Sequence, residues 1–151
     1  MKATDLLKRQ HREVKGLFKK IKDTENTSER RKLMTTIAQE LKVHTTIEEE
    51  IFYPAMREVQ SKKAEGMVNE AYEEHHVVDL VLRELPQVDP EDERFEAKMT
   101  VLSELVQHHI EEEEDEMFKL AAKLDKEELD ELGKQMNVRA TELKGMTRQA
   151  A

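Results

Sequence analysis

The stretch HTTIEEEIFYP, residues 44–54, places a histidine among glutamates and apolar residues in a pattern that decides the fold. Four residues are about one helical turn, so His44 and Glu48 project from the same helix face. Ile47 and Ile51 continue that face as an apolar stripe. Because an unpaired charge is costly to bury, an imidazole and a carboxylate on this stripe predict a buried helix with a chemical role.

A second stretch, HHIEEEEDEMF beginning at His108, repeats this spacing with His109 and Glu113. His109 has apolar neighbours at helical intervals and is predicted to face inward, whereas His108 shares its face with acidic residues and is predicted to face solvent. By the same criterion, His75 faces inward and His76 faces outward. The remaining glutamates of both stretches are interpreted as a solvated surface.

The chain of 151 residues is predicted to be all-α, because 39% of its residues are charged and it has only 4 Gly and 3 Pro. Ser28 is predicted to cap the second helix, and Asp125 with Glu128 has capping-box spacing before the last one. Pro54 is expected to kink the second helix or weaken its hydrogen bonding. The predicted helices cover about residues 4–23, 28–60, 67–85, 91–123 and 126–143.

These helices predict a single domain, residues 1–151, built as an up-down-up-down four-helix bundle. The bundle covers about residues 4–122. A short additional C-terminal helix, at about residues 126–143, is expected to pack on the outside or to cap one end. The net charge and the lack of a large apolar surface stripe are compatible with a monomer.

Four inward-facing histidines, one on each long helix, are predicted to meet in the core. Their positions differ by 33, 31 and 34 residues, so an antiparallel bundle brings them to about the same height. Neutral imidazoles there would need hydrogen-bond partners and charged ones would repel each other, and a bound metal solves both problems. Two cations bridged by two carboxylates would use six groups: His11, His44, Glu48, His75, His109 and Glu113. Nitrogen and oxygen ligands without sulfur suit iron, manganese or zinc, in that order.

Composition excludes several other classes of function. The sequence has no cysteine, which excludes disulfides, thiolate metal sites and a thiol nucleophile. Its net charge of −9 argues against nucleic acids and anionic membranes as partners. The N-terminal segment lacks the apolar run of a signal peptide and no segment reaches the length of a membrane span, so a soluble cytoplasmic protein is expected.

With these residues placed, the sequence resembles the hemerythrin family, specifically the hemerythrin-like HHE cation-binding proteins. The similar segments are LKRQHREVKGLFKKI, HTTIEEEIFYP, EEHHVVDLVLREL and HHIEEEEDEMF, which together span about residues 4–122. The resemblance implies a four-helix bundle around two non-haem iron ions, commonly with an oxo or hydroxo bridge. It implies reactions with small oxidants, because members bind O2, respond to oxygen or iron, or react with peroxide or nitric oxide. The ligands it implies are the same six residues.

The sequence departs from the oxygen-carrying members at two positions. Those members have a second histidine on the third helix where this chain has Asp79, and their last carboxylate stands where Glu114 stands here. The missing imidazole argues against reversible O2 transport and leaves Asp79, Tyr72, Tyr53 or solvent to complete the coordination. Tyr72 lies one turn before the third-helix histidine, whereas Tyr53 would lie nearly opposite His44 in a straight helix.

Four functional classes are compatible with these residues. The enzymatic class is peroxide disproportionation, as in a catalase, or nitric oxide chemistry, and the missing imidazole favours it. The binding class is an O2 carrier, store or sensor, and a third class is iron handling in which metal occupancy itself is the signal. A metal-free helical interaction domain is the remaining alternative. Peroxide turnover, reversible spectral change with O2, and metal-dependent stability without turnover distinguish the first three.

Overall fold

The computed structural model describes residues 1–150, with side chains through residue 147, and the chain forms five helical rods there. The first rod is α1 (Ala3–Asp23). The second consists of α2 (Thr27–Ile47), a π-helical turn (Glu48–Phe52) and α3 (Tyr53–Arg57). The third is α4 (Lys62–Glu84), followed by a 3-10 turn (Leu85–Gln87). The fourth consists of α5 (Glu93–Glu112), a second π-helical turn (Glu113–Met117) and α6 (Phe118–Ala121), and the fifth is α7 (Lys126–Ala150).

The first four rods form a ring in which each rod packs against two neighbours. The first rod contacts the second and the fourth, and the third rod also contacts the second and the fourth. Short connections join consecutive rods, so neighbours run antiparallel. The predicted all-α, up-down-up-down bundle with an additional C-terminal helix is confirmed. Within residues 1–150, no strand occurs and no helix is both long and apolar enough to span a membrane.

Side-chain caps mark the start of every rod except the first, and one predicted cap is wrong. Asn26, not Ser28, caps the second rod, because its side-chain oxygen accepts a hydrogen bond from the Glu29 backbone N–H at 2.9 Å. The predicted cap of the last helix is confirmed, since the Glu128 N–H donates to Asp125 Oδ1 at 2.8 Å. Polar side chains one or two residues outside the apolar stripe therefore set the helix starts.

Helix α7 is longer than the predicted span of residues 126–143. Gly145 keeps a negative φ, as do all glycines of the described chain, so it continues the helix. The Thr147 hydroxyl donates to the Leu143 carbonyl at 3.0 Å, one turn earlier. The helix packs outside the ring, along α1, α2 and the first π-helical turn, as one of the two predicted placements requires. The predicted domain ends at Ala151, which lies outside the described residues.

The bundle has two apolar cores, one on each side of a polar layer. The core nearer α7, here called the α7-side core, includes Leu6, Leu7, Phe52, Met56 and Phe118, together with Leu129 and Met136 of α7. The opposite core includes Val14, Phe18, Ile37, Phe95 and Leu102. Along each of the first four rods, one inward-facing histidine separates residues of one core from residues of the other. The fold therefore brings four imidazoles to one level.

Candidate metal centre

The polar layer consists of six buried ionisable side chains, which are the six predicted ligands. None of them is more than 7% exposed, and both carboxylates are 1% exposed or less. They come from the first four rods, and α7 contributes none. The layer contains His11, His44, Glu48, His75, His109 and Glu113.

The four imidazoles form two pairs, and each carboxylate contacts both pairs. The ring centroids are 4.8 Å apart in the His11–His44 pair and 4.8 Å apart in the His75–His109 pair. Glu113 Oε1 lies 3.1 Å from His11 Nε2, while Glu113 Oε2 lies 3.1 Å from His109 Nε2. Glu48 Oε1 lies 3.2 Å from the Nε2 atoms of both His44 and His75. The two carboxylates thus lie between two sets of nitrogen donors.

Several inward-facing polar atoms have no hydrogen-bond partner among the described residues. Buried polar groups without partners are rare in folded proteins because each forfeits its interaction with water. Here the orphaned atoms converge on one point, and all of them are potential metal donors. They are His11 Nε2, His44 Nε2, both oxygens of Glu48 and Glu113 Oε1. The donor set fits metal cations, which would satisfy all of these atoms together.

The outward nitrogens of the imidazoles are held by a closed ring of acceptors that the sequence pattern did not reveal. Each Nδ1–H donates to a side-chain oxygen of the preceding rod, and the first rod receives its acceptor from the fourth. Each acceptor is also the chain neighbour of a predicted ligand, which is the signal that could have found it. The pairs and their Nδ1–O distances are His44 with Gln10 (2.6 Å), His75 with Glu49 (3.0 Å), His109 with Glu74 (2.8 Å) and His11 with Glu114 (2.6 Å).

This ring orients all four imidazoles with Nε2 toward the centre. An acceptor at Nδ1 fixes the tautomer and makes Nε2 a better donor to a metal. Three acceptors are carboxylates, and Gln10 is the only amide. Glu114, which stands where oxygen-carrying hemerythrins have their last carboxylate, lies behind His11, and Glu113 is the carboxylate that faces the centre.

Tyr53 reaches the centre, contrary to the straight-helix expectation that it would lie opposite His44. Its side chain is fully buried, and its hydroxyl donates to Glu113 Oε2 at 2.8 Å. The same hydroxyl oxygen lies 3.2 Å from His75 Nε2 and 3.3 Å from His109 Nε2. The extra residue of the π-helical turn causes the difference, because the Tyr53 N–H bonds to the Glu48 carbonyl five residues earlier.

The other two candidates for the missing imidazole do not enter the centre. Asp79 forms an ion pair with Arg83 at 2.8 Å, and its side chain is 33% exposed. Tyr72 donates to the backbone carbonyl of Glu49 at 3.2 Å and packs edge-on against Tyr53. Tyr72 therefore supports the centre from behind. His76 and His108 are exposed, as the sequence pattern predicted.

Neighbouring carboxylates raise the pKa values of His11, His75 and His109 in the metal-free chain. Burial lowers the pKa of His75, but the adjacent carboxylates of Glu48 and Glu49 outweigh that effect and raise it from 6.5 to about 9. Burial likewise lowers the pKa of His109, and the negative charge of Glu113 more than compensates, so it lies well above its ordinary value. Without metal, the layer therefore binds protons at neutral pH.

The pKa values of Glu48 and Tyr53 are shifted in opposite directions. Burial raises the pKa of Glu48, but the neighbouring positive charge of His44 outweighs it and holds the pKa well below the ordinary value. Burial and the adjacent Glu113 and Glu48 carboxylates raise the pKa of Tyr53 well above its ordinary value. In the metal-free chain Tyr53 is thus a neutral hydrogen-bond donor to Glu113.

A small cavity adjoins the centre on the side of the opposite core. It has a volume of about 20 Å³, enough for one water-sized molecule. Side chains of all four histidines line it, and the rest of its lining is almost entirely apolar. The other lining residues are Val14, Leu41, Thr45, Val78, Val106 and Ile110.

The chain is similar to several known proteins. A crystal structure of a hemerythrin HHE cation binding domain-containing protein from Mycobacterium kansasii, a homolog of Rv2633c, superposes with a TM-score of 0.84 at 28% identity, covering 97% of this chain and 89% of that one. The uncharacterized protein Rv2633c of Mycobacterium tuberculosis is 31% identical over 150 residues, covering 96% of this chain and 89% of that protein. A DNA nickase of Nostoc is 25% identical over 118 residues, and the match spans 78% of this chain but only 33% of the nickase.

The family match covers most of the bundle and includes every residue of the polar layer. The hemerythrin HHE cation binding domain matches residues 2–121. Domains of this kind bind metal cations, and the buried His and Glu clusters of the polar layer could hold them. The chain belongs to the hemerythrin HHE cation-binding domain family.

Proposed function

We propose that the chain binds two iron ions in the polar layer and reacts there with a small oxidant. Peroxide chemistry of the catalase type, or nitric oxide chemistry, is favoured over reversible O2 carriage. The observation that carries the proposal is Glu113, whose two oxygens face different histidine pairs, as a bridging carboxylate must. The proposed ligands are His11, His44, Glu48, His75, His109 and Glu113.

The spacing of donor atoms supports two adjacent ions. Ligand atoms about 2.1 Å from one ion and at right angles to each other lie about 3 Å apart. The Nε2 atoms of His75 and His109 are 3.2 Å apart, and the Tyr53 hydroxyl and the nearer Glu113 oxygen complete a compact set at 2.8–3.3 Å. The His11–His44 pair forms the second set together with Glu48 and Glu113.

Tyr53 is proposed to complete the coordination where oxygen-carrying hemerythrins have an imidazole. It is the candidate whose oxygen converges with His75 and His109, whereas Asp79 and Tyr72 have other partners. Hard oxygen donors favour iron or manganese over zinc, and an anionic phenolate favours the oxidised metal. Iron held here would supply one-electron redox chemistry, and a preference for the oxidised state disfavours reversible O2 carriage.

The surroundings of the centre select for small reactants. The adjoining cavity of about 20 Å³ admits one water-sized molecule, and its apolar wall excludes bulk water. The acceptors at the Nδ1 atoms hold the imidazoles in place during a reaction. O2, hydrogen peroxide and nitric oxide match this size.

The alternative is an O2 or iron sensor, or a store, without catalytic turnover. The raised pKa values of His75 and His109 support this alternative. Metal binding must displace the protons of these histidines and would thereby change the stability of the whole bundle. The nickase activity named for the Nostoc relative is not part of the proposal, since the match spans only 33% of that protein. A net charge of −9 also opposes binding to a DNA backbone. The proposed domain covers residues 1–151.

Metal content and an optical spectrum of protein produced with added iron test the proposal, followed by peroxide consumption. We expect two irons per chain, near-ultraviolet and visible charge-transfer bands, and peroxide turnover. The double variant His44→Ala, Glu48→Gln should lose the iron and the bands. The matched control His76→Ala, Glu73→Gln, which removes the same chemical groups from the exposed face of α4, should keep both. Iron retained by the first variant would refute the site, and full iron without turnover would favour the alternative.

A further inference from the structure

A second His–Glu pair lies outside the centre, one residue before the inner pair. His108 and Glu112 repeat the spacing of His109 and Glu113 on the outer face of α5. His108 Nε2 lies 3.0 Å from Glu112 Oε1, and its side chain is 62% exposed. The proposed two-iron centre makes no use of this pair.

Glu74 of α4 connects this outer pair to the inner centre. One of its oxygens accepts the Nδ1–H of His109 at 2.8 Å, and the other lies 3.7 Å from His108 Nε2. Glu74, His108 and Glu112 each offer a donor atom within 4.8 Å of the other two. One imidazole and two carboxylates are a suitable donor set for a divalent cation.

A crevice leads from this cluster to the centre. It has a volume of about 30 Å³ and runs between α4 and the fourth rod, past the exposed residues Glu70 and Glu116. Its inner wall is formed by His109 and Glu113. Glu113 is 1% exposed, so the crevice ends at a buried carboxylate of the centre. Its Oε2 accepts from Tyr53, and its Oε1, which accepts no hydrogen bond from any described residue, faces His11.

Negative charge is concentrated at the mouth of the crevice. Four acidic side chains, those of Glu70, Glu74, Glu112 and Glu116, line this crevice and lie close together. Lys63 pairs with Glu116 at 3.9 Å and offsets one of these charges. Such a mouth attracts cations and raises their local concentration.

We propose that Glu74, His108 and Glu112 form an outer site for a divalent cation such as Fe2+ or Mn2+, which feeds the inner centre through the crevice. The site is exposed and has few ligands, so it binds weakly and exchanges quickly, as a loading site must. Its feeding role rests on the proposed function, but its existence does not. Glu74 bridges the two sites because one of its oxygens faces His109 and the other faces His108.

The outer site is tested with Mn2+ alone on the His44→Ala, Glu48→Gln variant, which removes the competing centre. We expect one bound Mn2+ per chain by electron paramagnetic resonance, and broadening of the His108 ring signals by NMR before those of His76. Adding His108→Ala and Glu112→Gln should abolish this binding, whereas His76→Ala and Glu73→Gln should not. Equal broadening of both histidines, or binding that survives loss of His108 and Glu112, overturns the site. If the double variant does not fold, the same Mn2+ titration is carried out on wild-type chain whose inner centre has been filled with Zn2+.

The feeding role is tested by the rate of iron loading. At limiting Fe2+, we expect His108→Ala, Glu112→Gln to load the centre about tenfold more slowly than wild type, with the same final iron content. The control His76→Ala, Glu73→Gln should load at the wild-type rate. Equal rates in all three proteins overturn the feeding role. Wild-type chain that binds Mn2+ at the outer site but never retains iron would refute the two-iron proposal and not the outer site.

Discussion

Gln10 differs from the other acceptors at the Nδ1 atoms because it is neutral. Its side-chain oxygen lies 2.6 Å from His44 Nδ1, whereas the other three imidazoles donate to carboxylates. A carboxylate acceptor increases the basicity of an imidazole more than an amide does. The metal position at His44 is therefore expected to be the more weakly held of the two.

Gln10→Ala should lower the metal affinity of the centre. The substitution removes the acceptor that fixes the His44 ring, and losses of such partners cost roughly 10–100-fold in metal affinity. Competition with a chelator would measure the change. Gln107→Ala, on the exposed face of α5, is the matched control and should leave affinity unchanged. Equal affinity in both variants would mean that packing alone orients His44.

Tyr53→Phe should remove a visible absorption band from the iron-loaded protein. The band would arise from charge transfer between the phenolate and oxidised iron, and Tyr72→Phe should retain it, because the Tyr72 hydroxyl bonds to a backbone carbonyl instead. In the metal-free chain, Tyr53→Phe removes the hydrogen bond to Glu113 and should cost about 1–2 kcal/mol of unfolding free energy. A band that persists in Tyr53→Phe would exclude Tyr53 as a ligand.

The metal-free chain should lose stability as pH rises from about 6.5 to about 9. The folded-state pKa of His75 is about 9 against 6.5 when unfolded, so its stabilising contribution is complete below pH 6.5 and is lost as pH rises through 9. His75 alone accounts for roughly 3 kcal/mol at most. Urea denaturation with a chelator present measures the trend. His75→Gln should flatten this pH dependence, whereas His76→Gln should leave it unchanged. A stability that increases over this pH range would contradict the raised pKa of His75.

At the level of elements, the two π-helical turns place the key oxygens, and each begins at the glutamate of a His–Glu pair. The turns span Glu48–Phe52 and Glu113–Met117, and in each the glutamate N–H bonds back to its histidine carbonyl. Each extra residue rotates the remainder of the helix by about 100°. This rotation turns Tyr53 from the far side of the helix into the centre.

The apolar stripes predicted the four rods, the six buried ionisable residues and the outward direction of His76 and His108. They could not predict Tyr53, because a helical wheel assumes 3.6 residues per turn and the extra residue is stabilised only by tertiary burial of Glu48 and Tyr53. Acceptors such as Glu49 were missed for a related reason. Within a glutamate run, the pattern cannot separate a carboxylate that meets a neighbouring rod from one that faces solvent.

Gly133→Ala should weaken the docking of α7. A methyl group there would overlap the Met1 carbonyl oxygen and lie 2.9 Å from the Ala3 backbone nitrogen, and backbone atoms cannot move aside easily. We expect a loss of about 1–3 kcal/mol in unfolding free energy. Gly16→Ala is the matched control, because nothing lies within 4 Å of its added methyl group. That helix-interior change should stabilise the protein by about 0.5–1 kcal/mol. Equal effects would show that α7 does not pack this closely.

At the scale of the whole molecule, the polar layer joins all four rods and separates two apolar cores. Each rod contributes one imidazole to the layer and one acceptor to a neighbouring imidazole, so no rod can move without disturbing two others. Without metal, the orphaned donor atoms and the crowded charges destabilise the middle of the bundle. Metal binding should therefore stabilise both cores together.

Metal should raise the unfolding free energy of the whole bundle in one cooperative step. A ligand that binds only the folded chain stabilises it by about 4 kcal/mol at a thousandfold excess over its Kd. Thermal unfolding with increasing Fe2+ under anaerobic conditions should show a rising midpoint, and a chelator should reverse it. Hydrogen exchange of the backbone amides should slow in both cores to a similar extent, for example at Phe52 in the α7-side core and at Phe95 in the opposite core. The shift should vanish in His44→Ala, Glu48→Gln and persist in His108→Ala, Glu112→Gln, because the stabilising ions lie in the inner layer. A shift of equal size in both variants would mean that the cation acts elsewhere on the acidic surface.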